Sequence, residues 1–273
     1  MIYEYWLAGI KEITDLKKQK LREVYGSGKA IYYIEETKLD KLRFLNEKDV
    51  AILKNAKKDT KLEEKWRRTE EKRIQFIPYF LKTYPEKLKY ITDPPYALYV
   101  LGQLPDEKRK SAAIVGARNC TAYGEQMALQ YGKSLAEAGI QIISGMARGI
   151  DGAGQRGALN SSWAKESGVT YAVLGCGVDV CYPRENIGLY MDIQEKGGIV
   201  SEFSPGTQPY AWNFPRRNRS RNRLRLTIEH SAVMENHTVK SGNSARTVYI
   251  THQKCPILRI GNRWKTQFIL LNN

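Results

Sequence analysis

Ile140-Gln141-Ile142-Ile143-Ser144-Gly145-Met146-Ala147-Arg148-Gly149-Ile150-Asp151 decides the fold. Residues 140–143 form an apolar run of strand length, a Ser-Gly turn follows, and residues 150–165 carry a helical pattern. A strand that passes through a glycine turn into a helix is part of a βαβ unit, and the flanking sequence continues the alternation. Residues 112–115 read as a strand and 123–138 as a helix upstream. Downstream, 171–174 is a strand, 185–195 a helix and 198–201 a short strand. The spacing predicts an α/β fold: an extended Rossmann-like, doubly wound, mainly parallel sheet. Its strands end in glycine or small polar residues, where such a sheet places ligands.

Outside this core, residues 1–83 predict a small helical domain. Tyr5, Trp6, Leu7, Ile10, Ile13 and Leu16 recur at helical spacing, and residues 38–53 and 61–80 add further helical stretches. Gly26-Ser27-Gly28 marks a turn, and the apolar run 30–34 fits either strand or helix. Tyr84-Pro85 and Asp93-Pro94-Pro95 interrupt the periodicity, so residues 84–110 read as a linker and lead-in. Residues 111–273 then form the Rossmann-like domain, with 220–273 atypical.

The formal charge is +15 over 273 residues, which favours a polyanionic partner, nucleic acid ahead of acidic membranes. Cys120, Cys176, Cys181 and Cys255 are too dispersed for a disulfide framework and include no C-x-x-C pair, as expected of reduced thiols in a cytoplasmic protein. The first ten residues lack a basic leader, and no apolar run approaches bilayer length. Catalytic constellations are missing from the predicted core. His230, His237 and His252 all follow it, and the spacing of Asp151, Asp179 and Glu202 demands no carboxylate pair. No catalytic residue, metal or cofactor is expected. Gly175-Cys176-Gly177 lacks the later glycine of the dinucleotide fingerprint and reads as a tight turn that lets Tyr182, Pro183 and Asn186 line a site.

The strand ends carry the candidate ligands. In Val115-Gly116-Ala117-Arg118 the glycine admits a ligand to the backbone, and Arg118 projects over the sheet edge as a phosphate ligand or as a surface arginine. The N–H groups of the Ser144-Gly145 turn and the following helix start predict an anion cradle, with Arg148 beside it. Asp151 fits a helix N-cap better than a catalytic acid. Asn213-Phe214-Pro215-Arg216-Arg217-Asn218-Arg219 reads as a basic loop whose arginines, with Trp212 and Phe214, offer charge for a backbone and flat surfaces for bases.

In order along the chain, Tyr84-Pro85, Asp93-Pro94-Pro95, Leu98-Tyr99, Gly102, Val115 to Arg118, Tyr123-Gly124, Ser144 to Asp151, Ala172 to Asp179, Tyr182-Pro183, Asn186, Ser201-Glu202 and Phe214-Pro215 to Arg219 resemble the DprA/Smf family. The resemblance covers about half the chain. It implies a non-enzymatic protein that binds and protects single-stranded DNA and loads a RecA-type recombinase in natural transformation, as a homodimer without membrane association. It also implies Arg118, Arg148, Arg217 and Arg219 as DNA contacts with Asn218 beside them, and Gly116, Ser144 and Gly145 as shapers of the pocket. Gln155 stands where the family's helix usually carries histidine.

After Arg219 the family pattern fades to faint echoes at Val233-Met234-Glu235 and Lys240-Ser241-Gly242. From Arg216 onward twelve Lys and Arg face two Glu, a net charge of +10. This end is expected to be diverged or frame-shifted and to pack poorly. Two rival readings remain. One is a Rossmann-like phosphoribohydrolase of the lysine-decarboxylase-like group, whose P-G-G-x-G-T-x-x-E signature is missing here. The other is a recombinase-adaptor scaffold with impaired DNA binding.

Overall fold

Continuous burial along the apolar runs, whose successive side chains face opposite ways, builds a sheet covered on both faces. The computed structural model describes residues 1–165, 168–224, 230–234 and 248–252. The chain begins with α1 (Ile2–Gly9), α2 (Asp15–Tyr25), α3 (Gly28–Tyr33), α4 (Glu36–Leu39), α5 (Glu47–Ala56) and α6 (Leu62–Glu71). Then come β1 (Gln75–Pro78), α7 (Glu86–Lys89), β2 (Ala97–Gly102), β3 (Ser111–Ala112) and β4 (Ile114–Gly116). The alternating core follows as α8 (Ala122–Glu137), β5 (Gln141–Ser144), α9 (Ile150–Leu159), β6 (Thr170–Val173), α10 (Ile187–Lys196) and β7 (Gly197–Ser201). Last come α11 (Asn213–Leu224), β8 (His230–Met234) and β9 (Val248–His252).

The main sheet has the order β1-β2-β7-β6-β5-β3. β3, β5, β6 and β7 are parallel, while β2 joins β7 and β1 joins β2 antiparallel. Tyr171 and Val173 pack to one face with Ile143, Val200, Leu88 of α7 and Leu224 of α11. The intervening Ala172 and the following Leu174 pack to the other with Leu189 and Ile193 of α10. This alternation is the strand period, and it places α11 opposite α10. β4 pairs parallel with β8, which pairs antiparallel with β9, so α11 carries the chain back across the sheet. The winding is therefore double, as the sequence predicts.

Local signals fix the helix ends. The Thr14 hydroxyl caps α2, Thr121 caps α8 by accepting from Gly124 N at 3.1 Å, and Asn46 with Asp49 closes a capping box on α5. The amino-terminal helices dock on β2 through a buried Glu4, which accepts from the Tyr96 hydroxyl, from Gly28 N at 2.9 Å and from Arg22 Nε at 3.2 Å. The run 30–34, open at the sequence level, is helical in α3.

Three readings of the pattern are corrected. The helix predicted over 61–80 stops at Lys72. Arg73 takes φ 54° and turns the chain into β1, because Phe76 and Ile77 bury themselves against β2. Within the 84–110 lead-in, residues 97–101 of β2 are all buried between β1 and β7, so this stretch is an integral sheet strand. The single strand at 112–115 is divided at Ala113, with Ser111–Ala112 paired to β5 and Ile114–Gly116 to β8.

The faint echo at Val233-Met234 falls at the end of β8, paired with Val115 and Gly116. Of the expected diverged end, residues 220–224 complete α11 and 230–234 and 248–252 form β8 and β9, while 225–229, 235–247 and 253–273 lie outside the described residues. No helix among the described residues is long and apolar enough to cross a membrane.

Candidate functional site at the carboxyl edge of the sheet

The loops after β4, β5 and β6 meet the start of α11 at one edge of the sheet. Residues 213–219, read from sequence as a loop, instead open α11, with Pro215 in its first turn, where its missing N–H breaks no helical hydrogen bond. Helical geometry sorts the arginines. Phe214, Arg217 and Arg221 follow i, i+3, i+7 spacing along one stripe, and Arg216, Arg219 and Ser220 lie along another.

The second stripe is an ionic clasp. The Glu202 carboxylate, only 2% exposed, accepts from Arg216 Nε at 2.9 Å and from Arg219 Nη2 at 2.6 Å. Arg216 Nη2 also reaches Asp15 of α2 at 2.6 Å, and Arg219 lies 3.5 Å from Asp93. Burial pushes the Glu202 carboxyl up, and Arg219 and Arg216 only partly offset this. The clasp thus fastens α11 to the sheet and to the amino-terminal helices.

The first stripe faces the strand ends. Arg217 is 6% exposed, its Nη1 donates to the Val173 carbonyl at 2.5 Å, and its Nε has no partner among the described residues. Burial, with Arg221 nearby, lowers its pKa to about 10. Burial likewise lowers that of Arg221, whose Nη1 is 3.9 Å from Asp151. Arg118 is exposed and makes no ion pair among the described residues. Its guanidinium lies 5.8 Å from the Phe214 ring centroid, the same distance as that of Arg217. Tyr182 packs on the same ring at 5.6 Å. Two guanidinium groups, those of Arg118 and Arg217, therefore flank the Phe214 ring, and a third, that of Arg221, lies near Arg217 and beside the Asp151 carboxylate.

Asp151 also changes the role of the backbone here. It lies in the first turn of α9, whose N-cap is Gly149, and it accepts from Gly116 N and Gly145 N, each at 3.3 Å. The anion in the expected cradle is thus the protein's own carboxylate, and Asp151 is not the N-cap. Ser144 Oγ donates to the Ile114 carbonyl at 2.6 Å, and Met146 N donates to Gln155 Oε1 at 3.0 Å. Gln155 Nε2 in turn donates to the Tyr171 carbonyl at 2.9 Å, so this side chain ties α9 to two strand ends. Gly145 has a steric role, since a Cβ there would run into the Arg217 guanidinium. At Gly149, φ is 69° and a Cβ would meet the Ala117 carbonyl, which lets the Arg118 loop lie on the start of α9.

Arg148 is exposed and pairs bidentately with exposed Glu185, with Nη2 to Oε2 at 2.8 Å. Asn186 Nδ2 donates to the Met146 carbonyl at 3.0 Å and so holds the loop that carries Arg148. Asn218 is half-buried, and its Oδ1 has no partner among the described residues. Trp212, expected to pack with the arginines, instead stacks on Tyr210.

Of the residues expected at this edge, Gly116, Gly145, Arg118 and Arg217 come together. Arg148 is drawn aside by Glu185 and Arg219 by the clasp. Arg221 was not singled out as a ligand, although i, i+4 spacing from Arg217 marks it once the segment is read as a helix. A cavity of about 570 Å³ lies elsewhere, between the amino-terminal helices and residues 204–207, and no residue of this edge lines it.

Comparison with known proteins places this arrangement in a family. Protein Smf of Escherichia coli is 42% identical over 144 residues, which are 52% of this chain and 37% of that protein. DNA processing protein DprA of Bacillus subtilis is 39% identical over 150 residues, 55% of this chain and 49% of that protein. The matched stretches thus span less than half of these relatives. The crystal structure of DNA processing protein A from Streptococcus pneumoniae superposes with a TM-score of 0.65 at 26% identity, covering 85% of this chain and 77% of that one. The solved structure of DNA processing protein A from Helicobacter pylori, described for its single-stranded DNA binding mode, gives a TM-score of 0.50 at 28% identity over 60% of this chain and 72% of that one. Residues 75–262, from β1 to well past Arg219, match the DNA recombination-mediator protein A family, and the chain belongs to it.

Proposed function

We propose that this edge binds single-stranded DNA by its phosphates, in a non-catalytic protein that protects the strand and hands it to a RecA-type recombinase. The observation that carries the proposal is the unbalanced charge of the site. Arg118 and Arg217 flank Phe214 and Arg221 lies beside Arg217, with Asp151 the one carboxylate in ion-pair reach of the three among the described residues, and burial makes the charge of Arg217 and Arg221 costly. A polyanion relieves that cost on binding, and Phe214 and Tyr182 offer ring faces to unpaired bases.

Arg118 and Arg217 are the principal phosphate ligands, joined by Arg221. Arg148 joins them after exchanging Glu185 for a phosphate, an exchange favoured because an exposed ion pair holds weakly. Arg219, counted among the contacts by resemblance, serves first to seat α11 through Glu202. The resemblance to DprA/Smf further supports a cytoplasmic homodimer acting in natural transformation. The domain division shifts from residue 83 to the turn at Arg73, because β1 belongs to the sheet, and the helical unit before that turn carries the Asp15 end of the clasp.

Salt titration of oligothymidylate binding, with a duplex of equal length as control, tests the reading. Affinity should fall with a log–log slope of about −0.7 per phosphate neutralised, and Arg118→Ala should lower that slope by about one contact. Unchanged affinity and slope in Arg118→Ala would remove Arg118 from the site. Equal preference for duplex would refute the single-strand reading.

A further inference from the structure

The Tyr210–Trp212 ring pair lies just before α11 and outside the Phe214 cluster. The rings stack with centroids 4.8 Å apart and planes within 4° of parallel. Trp212 is nevertheless 72% exposed, the most exposed large apolar side chain among the described residues, and Tyr210 is 45% exposed. With one ring face covered by Tyr210, what Trp212 presents to solvent is its opposite face.

The pair is pre-organised rather than trailing from a loose loop. Tyr210 N donates to the Gln208 carbonyl at 2.9 Å, Asn213 N to the Tyr210 carbonyl at 3.0 Å, and Phe214 N to the Ala211 carbonyl at 3.4 Å. Asn213, between Trp212 and Phe214, is itself buried. The turn therefore fixes the pair two residues from the ring that Arg118 and Arg217 flank.

We propose that Trp212, backed by Tyr210, is an outer stacking platform that receives an unpaired base of the strand as it leaves the Arg118–Phe214–Arg217 site. The inference rests on the reading of that site as a single-stranded DNA site. A nucleobase is favoured over a partner protein's aromatic side chain because the platform adjoins unbalanced guanidinium charge, which suits a phosphate-linked chain of rings. Stacking is indifferent to base identity, so the platform adds affinity without sequence preference. Tyr210 contributes by holding the indole in one plane, which reduces the ordering cost on binding.

The test compares Trp212→Ala, Trp212→Phe and Arg118→Ala in the full chain. Binding is measured to an oligothymidylate of about a dozen nucleotides and to an abasic strand of equal length. Trp212→Ala should weaken oligothymidylate binding roughly 5- to 30-fold, leave abasic binding unchanged, and leave the salt slope unaltered. Trp212→Phe should restore most of the loss. Arg118→Ala should weaken both ligands and lower the slope. Full affinity for oligothymidylate in Trp212→Ala, or an equal loss on both strands, would overturn the platform while leaving the arginine site intact. Failure of the native chain to bind either strand would overturn the underlying reading, and the platform with it.

Discussion

Replacing Arg217 with methionine separates what this residue costs the fold from what it gives the site. The side chain is 6% exposed, held under Gly145, bonded to the Val173 carbonyl, and its Nε has no partner among the described residues. Burial and Arg221 bring its pKa from 12.5 to about 10, which at neutral pH corresponds to about 3 kcal/mol of unfavourable charge burial. Methionine removes that penalty and keeps much of the apolar contact with Phe214. It also leaves the Val173 carbonyl without this donor, a loss of about 1–1.5 kcal/mol. The balance predicts an Arg217→Met chain more stable by about 1–2 kcal/mol, in line with buried ion groups elsewhere that apolar residues replace without loss. Urea unfolding at neutral pH, followed by tryptophan fluorescence, should show a higher midpoint at unchanged slope. The same variant should bind oligothymidylate roughly 10- to 100-fold more weakly, the range expected for losing hydrogen bonds to a charged group. A variant that is less stable than the native chain, or one that binds DNA equally well, would refute the argument that Arg217 is held at a cost for its charge.

Three further outcomes follow from the geometry. Glu202→Ala leaves Arg216 and Arg219 without their buried partner and should cost about 3 kcal/mol in urea unfolding, with α11 exchanging its amide hydrogens faster; a loss under about 1 kcal/mol would show that the clasp is not what seats the helix. Glu185→Gln frees Arg148 and should raise single-stranded DNA affinity roughly two- to fivefold at low salt, converging with the native chain at high salt; a lower affinity would make Glu185 a positioning residue for Arg148. Burial raises Cys176 from 9.0 to about 12, and Tyr171 and Tyr190 from 10.0 to about 12. For groups raised in the folded state, the stability is present below the unfolded values and lost as pH rises through the folded ones. Unfolding should therefore steepen between pH 9 and 12 and coincide with tyrosine ionisation by absorbance, whereas ionisation that precedes the loss of circular dichroism would contradict it.

The sheet was legible in the sequence because its signals are local. The runs around Ile142, Tyr171 and Val200 alternate with helices that bury one stripe, and Thr121 and Asn46 announce their helix starts. Two elements escaped this reading for opposite reasons. The charged stretch before Gln75 extends a helical pattern past Arg73, so β1 is recognisable only through its partner β2. α11 holds five arginines and a proline in twelve residues, which locally reads as a loop; its helical state is supported by contacts with Glu202, Asp15 and Val173. Tertiary context overrides weak local preference in both cases.

The sequence by itself determined the kind of surface this protein carries: strand ends rich in glycine, arginines close behind them and aromatic rings between. Which arginines are available was decided only by the fold. Arg216 and Asp15 are 201 residues apart in sequence and 2.6 Å apart in space. Asp151, six residues from Gly145, fills the cradle that the Gly145 turn appeared to hold open. Residue type is a local property, whereas the partner that neutralises a charge is chosen by packing. Arg217 and Arg221 differ from Arg216 and Arg219 only in where α11 turns them, and Arg118 meets Arg217 across the Phe214 ring from the loop after β4.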